Sequence, residues 1–244
     1  MLFSILKFAA ISAVTSLAIA IGLIVTQRPG TAKSSDDSGL DFTETLARGL
    51  EDVPATTPVQ MRDGYALQIR RYGAAGRDVP LVVMVHGSGW HGMQFHALAS
   101  ALASEADVVV PDLRGHGAAP GRRGDVDYIG QYEDDLVDLI TDQARAGQKV
   151  VMVGHSSGGG LVVRMAGGAH GAMVDRAVLL APFLKHNAAT TRRNSGGWAR
   201  VLVRRVIGLS MLNAVGVRAL NHLTIIQFDM PRWGTRRPRP IPIG

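Results

Sequence analysis

Four short, uninterrupted apolar runs constrain this chain more than any other feature: residues 81–85, 108–110, 150–153 and 177–180. They lack the polar alternation of a strand with one wet face, so each is read as a strand buried on both faces, as inside a parallel sheet. Patterns of helical period lie between them, over 91–103, over 129–144 with Ile129, Tyr132, Leu136, Leu139 and Ile140 along one face, and over 157–166. Strands alternating with helices predict a mostly parallel, doubly wound α/β sheet. Ahead of it, residues 59–61 and 65–71 flank the turn signal Arg62-Asp63-Gly64, which predicts a β-hairpin leading into the domain. At 244 residues, 46% hydrophobic and 19% charged, the chain can bury one main core.

Residues 8–26 carry no charge and stand between Lys7 and Arg28-Pro29. As a helix they are long enough to cross a bilayer. Ala18-Ile19-Ala20 has the small-x-small form of a signal cleavage site, but the apolar run continues through Ile21, Leu23 and Val25, which favours an uncleaved anchor. The short basic N-terminus is expected inside, with the rest on the extracytoplasmic side of the membrane, or secreted or periplasmic after cleavage. The expected organisation is an anchor or signal over 1–28, a linker over 29–56 with a short helical pattern at 42–50, a core over 57–184, cap helices over 185–230 (helical stretches 198–207 and 211–220), and a disordered Arg/Pro tail over 231–244.

There is no cysteine, which excludes disulfide frameworks and thiolate metal sites. Residues 185–244 hold 11 of the 26 basic side chains and one of the 20 acidic ones. Such asymmetry suits nucleic acid or an anionic membrane surface. Without an aromatic-interleaved basic motif, and with an apolar leader, no nucleic acid partner is expected. In the cap, Trp198, Val201, Leu202, Val206 and Ile207 among Arg200, Arg204 and Arg205 suit anionic lipid headgroups or a lipid-like substrate, or equally a lid helix with a solvated basic face. Glu133, Asp134, Asp135, Asp138 and Asp142 fall mostly away from an apolar helix face and are read as a solvated face, so no metal site is expected.

The chemistry centres on Gly154-His155-Ser156-Ser157-Gly158, directly after the third apolar run and at the start of the next helical pattern. Strand, tight turn and helix form the setting of a nucleophile elbow, in which glycine neighbours leave room for a serine hydroxyl to stand above the sheet. The bland alternative is a Gly-rich turn capped by Ser. Two further loops follow strand ends: His86-Gly87-Ser88-Gly89-Trp90 and Asp112-Leu113-Arg114-Gly115-His116-Gly117.

With Leu180-Ala181-Pro182-Phe183, these motifs resemble the α/β-hydrolase superfamily, nearest its monoglyceride lipase, lysophospholipase and S33 serine aminopeptidase-like branch, over roughly residues 57–184. The resemblance implies Ser156 as nucleophile and the backbone N–H groups of Ser88 and Ser157 as the oxyanion hole. It also implies supporting roles for His86, Gly87, Gly89, Gly154, His155 and Gly158, a small or lipid-like ester substrate, and no cofactor. His86, His116 and His155 are read as structural, with Asp112 and Arg114 bracing their loop.

The resemblance then breaks. The family triad runs Ser, acid, His. After Ser156 the acids are Asp175 and Asp229 and the histidines His170, His186 and His222, so no His follows Asp229. Asp175 precedes its strand and belongs at the wrong end of the sheet. The last two strands of the family, which deliver acid and base, are missing from the pattern. The expectation is a truncated, frame-shifted or fragmentary hydrolase whose catalytic acid and His are unknown, with an incomplete enzyme or binding module as the rival to an active one.

Overall fold

The computed structural model describes residues 2–30, 52–73, 78–185, 188 and 199–228. They belong to two units: residues 46–193, and residues 1–45 with 194–244. The helical pattern at 42–50, Trp198, His186, Asp229 and the tail over 231–244 lie outside the described residues.

In the first unit, β1 (Thr57–Gln60) and β2 (Ala66–Tyr72) form the expected hairpin. Its turn is tied by Gly64 N–H donating to Met61 O at 2.9 Å and by Tyr65 N–H donating to the Asp63 carboxylate at 3.0 Å. Then come β3 (Leu81–Val85), α2 (His96–Leu102), β4 (Asp107–Asp112), α3 (Gln131–Gln143), β5 (Val150–His155), α4 (Ser157–Gly167) and β6 (Arg176–Leu180). The sheet order is β1-β2-β4-β3-β5-β6, with β4, β3, β5 and β6 parallel and the hairpin antiparallel. Neighbours out of chain order require crossovers, and α2, α3 and α4 supply them.

Strand β3 shows why the apolar runs have no polar alternation. Leu81, Val83 and Val85 enter one core with Leu136 and Leu139 of α3 and Val162 and Met165 of α4. Val82 and Met84 enter a second core with Phe95, Ala99, Val108 and Val110. Side chains alternate between faces, but both faces are covered by helices.

Three expectations are corrected. Residues 177–180 form a strand, but every residue of β6 is exposed rather than buried, and only β5 pairs with it among the described residues. Ile129 is 88% exposed and precedes α3 rather than joining its apolar face. Of the five acidic residues of α3 only Asp142 is exposed, and the other four are not a solvated face. Asp135 is buried and binds Arg114 at 2.6 and 2.8 Å, Asp134 and Asp138 bind Arg62, and Glu133 binds Arg164 at 2.5 Å.

In the other unit, α1 spans Leu2–Thr26, long and apolar enough to cross a membrane. Instead of two cap helices there is a short ribbon of β7 (Ala199–Val201) and β8 (Ile226–Phe228), with one helix, α5 (Val203–Ala214), between them. Helix α5 stops where the positive φ of Gly216 lets Gly216 N–H reach Asn213 O and Val217 N–H reach Leu212 O, the paired bonds of a Schellman turn. This stop falls inside the second predicted helical stretch.

Candidate active site

Strand β5 ends at His155 and α4 begins at Ser157, so Ser156 alone makes the turn, at φ 52° and ψ −121°. A non-glycine residue there stores roughly 1–3 kcal/mol of strain and needs its surroundings to hold it. Ser156 N–H donates to Leu180 O at 3.0 Å, and Ser156 O accepts from Gly160 N–H at 3.1 Å and Phe183 N–H at 2.8 Å. The turn is thus fastened to the end of β6 and to the first turn of α4.

The flanking glycines are required by contact. A Cβ on Gly158 would lie 2.2 Å from Val85 O and 2.4 Å from His86 O, and one on Gly154 would lie 2.6 Å from Gly158 O. Helix α4 therefore enters directly over the end of β3, which brings the loop after β3 beside the elbow. Ser88 N–H donates to Ser157 Oγ at 2.7 Å, and Ser88 Oγ donates to the same oxygen at 2.8 Å. The two expected oxyanion positions are in contact, with the Ser157 hydroxyl resting on the Ser88 amide.

His86 is fully used by its surroundings. Its Nδ1 lies 2.9 Å from Gly87 O and its Nε2 accepts from Leu113 N–H at 2.9 Å, an assignment that requires the neutral Nδ1–H tautomer. Burial lowers its pKa to about 4. The ring meets His116 edge-on at 5.1 Å, and His116 Nδ1 lies 2.9 Å from Arg114 O. Asp112 accepts from Gly92 N–H at 2.7 Å and from Arg70 at 3.2 Å, so it braces both loops. Burial also lowers the pKa of His155.

Because the folded pKa of His86 lies below the unfolded value near 6.5, the unfolded chain takes up a proton first as the pH falls. The stability linked to neutral His86 is present above pH 6.5 and is lost as the pH falls to about 4, a span of about 3 kcal/mol. Denaturant unfolding of wild type and His86→Asn should therefore converge by about that amount over this window. Parallel pH curves would contradict it.

Gln94 was not anticipated. Its side-chain oxygen accepts from Gly87 N–H at 3.2 Å and its amide nitrogen donates to His155 Nδ1 at 2.6 Å, so one side chain spans the loop after β3 and the elbow. Nothing in the sequence singles it out, since it is a polar residue within a helical pattern. The structure breaks that pattern into a 3-10 turn, Gly92–Phe95, and α2.

No acid and histidine converge on Ser156 among the described residues, and Ser156 Oγ makes no hydrogen bond to any of them. Asp175 binds Lys149 at 2.8 Å and Val150 N–H at 2.8 Å, at the start of β5, the sheet end opposite the elbow. His170 follows the far end of α4. His222, in the other unit, is exposed, with Nδ1 3.0 Å from Ala219 O. Among the described residues no His, Asp and Glu side chains converge in a group able to hold a metal. A cavity of about 740 Å³ opens at the N-terminal strand ends, lined by Asp78, Arg145, Lys149 and Asp175. It lies away from the elbow, and in open α/β sheets chemistry gathers at the carboxyl ends instead.

The family model for serine aminopeptidase, S33, matches residues 77–226. An uncharacterized protein of Mycobacterium tuberculosis is 30% identical over 120 residues, covering 49% of this chain and 33% of that protein. Lipase LipV of the same species is 35% identical over 100 residues, 41% of this chain and 36% of the lipase. Human monoglyceride lipase is 28% identical over 156 residues, 62% of this chain and 49% of the lipase. The chain thus spans between a third and a half of the length of these relatives. A solved α/β hydrolase from Novosphingobium aromaticivorans is 30% identical, with a TM-score of 0.39 over 51% of this chain and 43% of that one.

Proposed function

The chain belongs to the serine aminopeptidase S33 family of α/β-hydrolases, and we propose that it is a serine hydrolase of the esterase or lipase type with Ser156 as its nucleophile. The observation that carries this reading is Ser156 alone at the strained β5–α4 turn, with the Ser88 loop held beside it. In the proposed reaction Ser156 Oγ loses its proton to a general base and attacks an ester carbonyl. The tetrahedral oxyanion is met by the amides of Ser88 and Ser157, the alcohol leaves with a proton, and water releases the acid from the acyl-serine. The resemblance to lipases favours a lipid-like ester, and α1 favours attachment to a membrane, with the catalytic unit on the extracytoplasmic side.

A second reading has its own support. Ser156 Oγ has no hydrogen-bonded base among the described residues, which suits an incomplete enzyme or a binding module. Loss of base and acid from a triad costs up to about 10⁶ in rate. Labelling with a fluorophosphonate, mapped by peptide mass spectrometry on the full chain in detergent, separates the two. Selective modification of Ser156, abolished in Ser156→Ala, is the expected result. A folded protein that stays unlabelled would leave the binding-module reading standing instead.

A further inference from the structure

The unit made of residues 1–45 and 194–244 has a feature that hydrolysis does not account for. Residues 2–19 of α1 are all exposed, and cover begins only at Ala20 and Ile24. The uncharged run 8–26 extends about 28 Å as a helix, close to the hydrocarbon thickness of a bilayer, and its first twelve residues lie within this exposed stretch. At the end of that bare stretch α1 meets α5. A Cβ on Gly208 would lie 2.5 Å from Ala20 O and 2.7 Å from Ile24 Cγ1, so the backbone of α5 lies against the backbone at Ala20 and the side chain of Ile24, with Leu209 and Leu212 closing the contact. Gln27 Oε1 accepts from Arg205 N–H at 3.2 Å, and the Gln227 side chain pairs with both backbone groups of Gly30 at 2.9 and 3.0 Å. Helix α5 is thereby fixed where α1 ceases to be bare.

Helix α5 also has an apolar second face. Opposite the residues buried on α1, Val203 is 54% and Ile207 47% exposed, and Ser210 and Ala214 continue the same exposed stripe. Two large apolar side chains on the outer face of a helix whose other face is already packed are not needed for that packing. Its surroundings carry one sign of charge. The described residues of this unit include no Asp or Glu; Arg204 is exposed beside the stripe, while Arg205 is buried on the opposite face and donates to Thr224 O at 2.9 Å. Exposed Arg204 makes no ion pair among the described residues. An exposed apolar stripe beside Arg204, in a unit whose described residues carry no Asp or Glu, on a helix packed at the end of a membrane-length apolar helix, matches an anionic lipid surface in both shape and charge.

We infer that α5 is an interfacial helix of an anionic bilayer, with Val203 and Ile207 among the acyl chains and Arg204 at the headgroup phosphates. This rests on the reading of α1 as a membrane span. The chain has no cysteine, so single-cysteine labelling reports one position at a time. The full chain carrying Leu17→Cys, Val203→Cys or Ile207→Cys, labelled with an environment-sensitive dye, is reconstituted in phosphatidylcholine–phosphatidylglycerol vesicles with or without brominated acyl chains. All three positions should lose fluorescence to the brominated lipid. Adding Arg204→Glu should reduce the loss at positions 203 and 207 and leave position 17 unchanged.

Quenching at position 17 alone, with 203 and 207 as unquenched as a free dye–cysteine adduct, would overturn the interfacial helix and keep the span. No quenching at any position would overturn both. Equal quenching at 203 and 207 in pure phosphatidylcholine would overturn the anionic preference. Fluorophosphonate labelling of Ser156 is read independently, so failure of the hydrolase reading is not confused with failure of this one.

Discussion

Gly158→Ala is expected to destabilise the chain by up to roughly 2 kcal/mol and to abolish the fluorophosphonate labelling proposed for Ser156, although the substitution adds one methyl group and favours helix. The new Cβ would sit 2.2 Å from Val85 O and 2.4 Å from His86 O, and both are backbone atoms that cannot rotate away. Overpacking against a rigid neighbour costs about 1–3 kcal/mol and sometimes more, while Gly to Ala inside a helix returns about 1 kcal/mol. Relief of the clash requires α4 to lift from the end of β3, which carries Ser157 away from Ser88 and loosens the turn at Ser156. Gly167→Ala, in the same helix with open space around its Cβ position, gains the propensity without the clash and serves as the control. At roughly 2–4 °C per kcal/mol for a chain of this size, thermal melting separates the two variants. Equal melting temperatures would mean that the helix seats less tightly on β3 than the geometry states.

Arg114→Met is expected to cost about 3–5 kcal/mol, the larger effect of the two. Arg114 is buried, binds Asp135 at 2.6 and 2.8 Å and Asp63 at 2.8 Å, and stacks on Tyr65 at 4.2 Å. Burial raises the pKa of Asp135 even with the guanidinium present, and without it the carboxylate is left in a dry site. Asp63 is partly exposed, and its carboxylate can hydrate instead. The penalty should therefore follow Asp135. Arg114→Met with Asp135→Leu should recover most of the loss, a coupling measurable in a double-mutant cycle by denaturant unfolding. The cost should also shrink as the pH falls. With its folded pKa raised above the unfolded value near 3.9, Asp135 in the variant takes up a proton earlier in the folded state, so lower pH favours folding. A variant whose deficit is unchanged between pH 8 and pH 5 would mean that Asp135 finds another cation.

The elements legible in the sequence were those whose pattern local burial alone dictates. Strands β3, β4 and β5 are covered on both faces, so their composition shows the strand without any tertiary information. The hairpin could be read from Asp63-Gly64, because the turn depends on those residues themselves. The elbow could be read because the space available to α4 over β3 admits only glycine at position 158. Exposure of β6 is not legible, since its composition is that of a buried strand and its cover depends on elements distant in sequence. Asp135 looked like one of several acids on a wet face, and its burial depends on Arg114, which is 21 residues away and follows another strand. The role of Gln94 depends on two loops meeting, which no local pattern encodes. Over residues 199–228, the pairing of β7 with β8 and the stop at Gly216 depend on a long-range register and a turn that the apolar pattern does not mark.

The contact between Ser88 and Ser157 carries a consequence for selectivity between stages of the proposed reaction. The Ser157 hydroxyl already accepts the Ser88 amide proton, so an incoming acyl oxygen has to compete with it for that donor. A neutral ester carbonyl is a weak competitor and gains little from the exchange. An alkoxide is a much stronger acceptor and can displace the hydroxyl, whose rotation about χ1 frees the amide only once charge has developed. In such a site the resting hydroxyl screens the donor from the ground state and yields it to the transition state, so stabilisation is withheld until it lowers the barrier rather than deepening the substrate well.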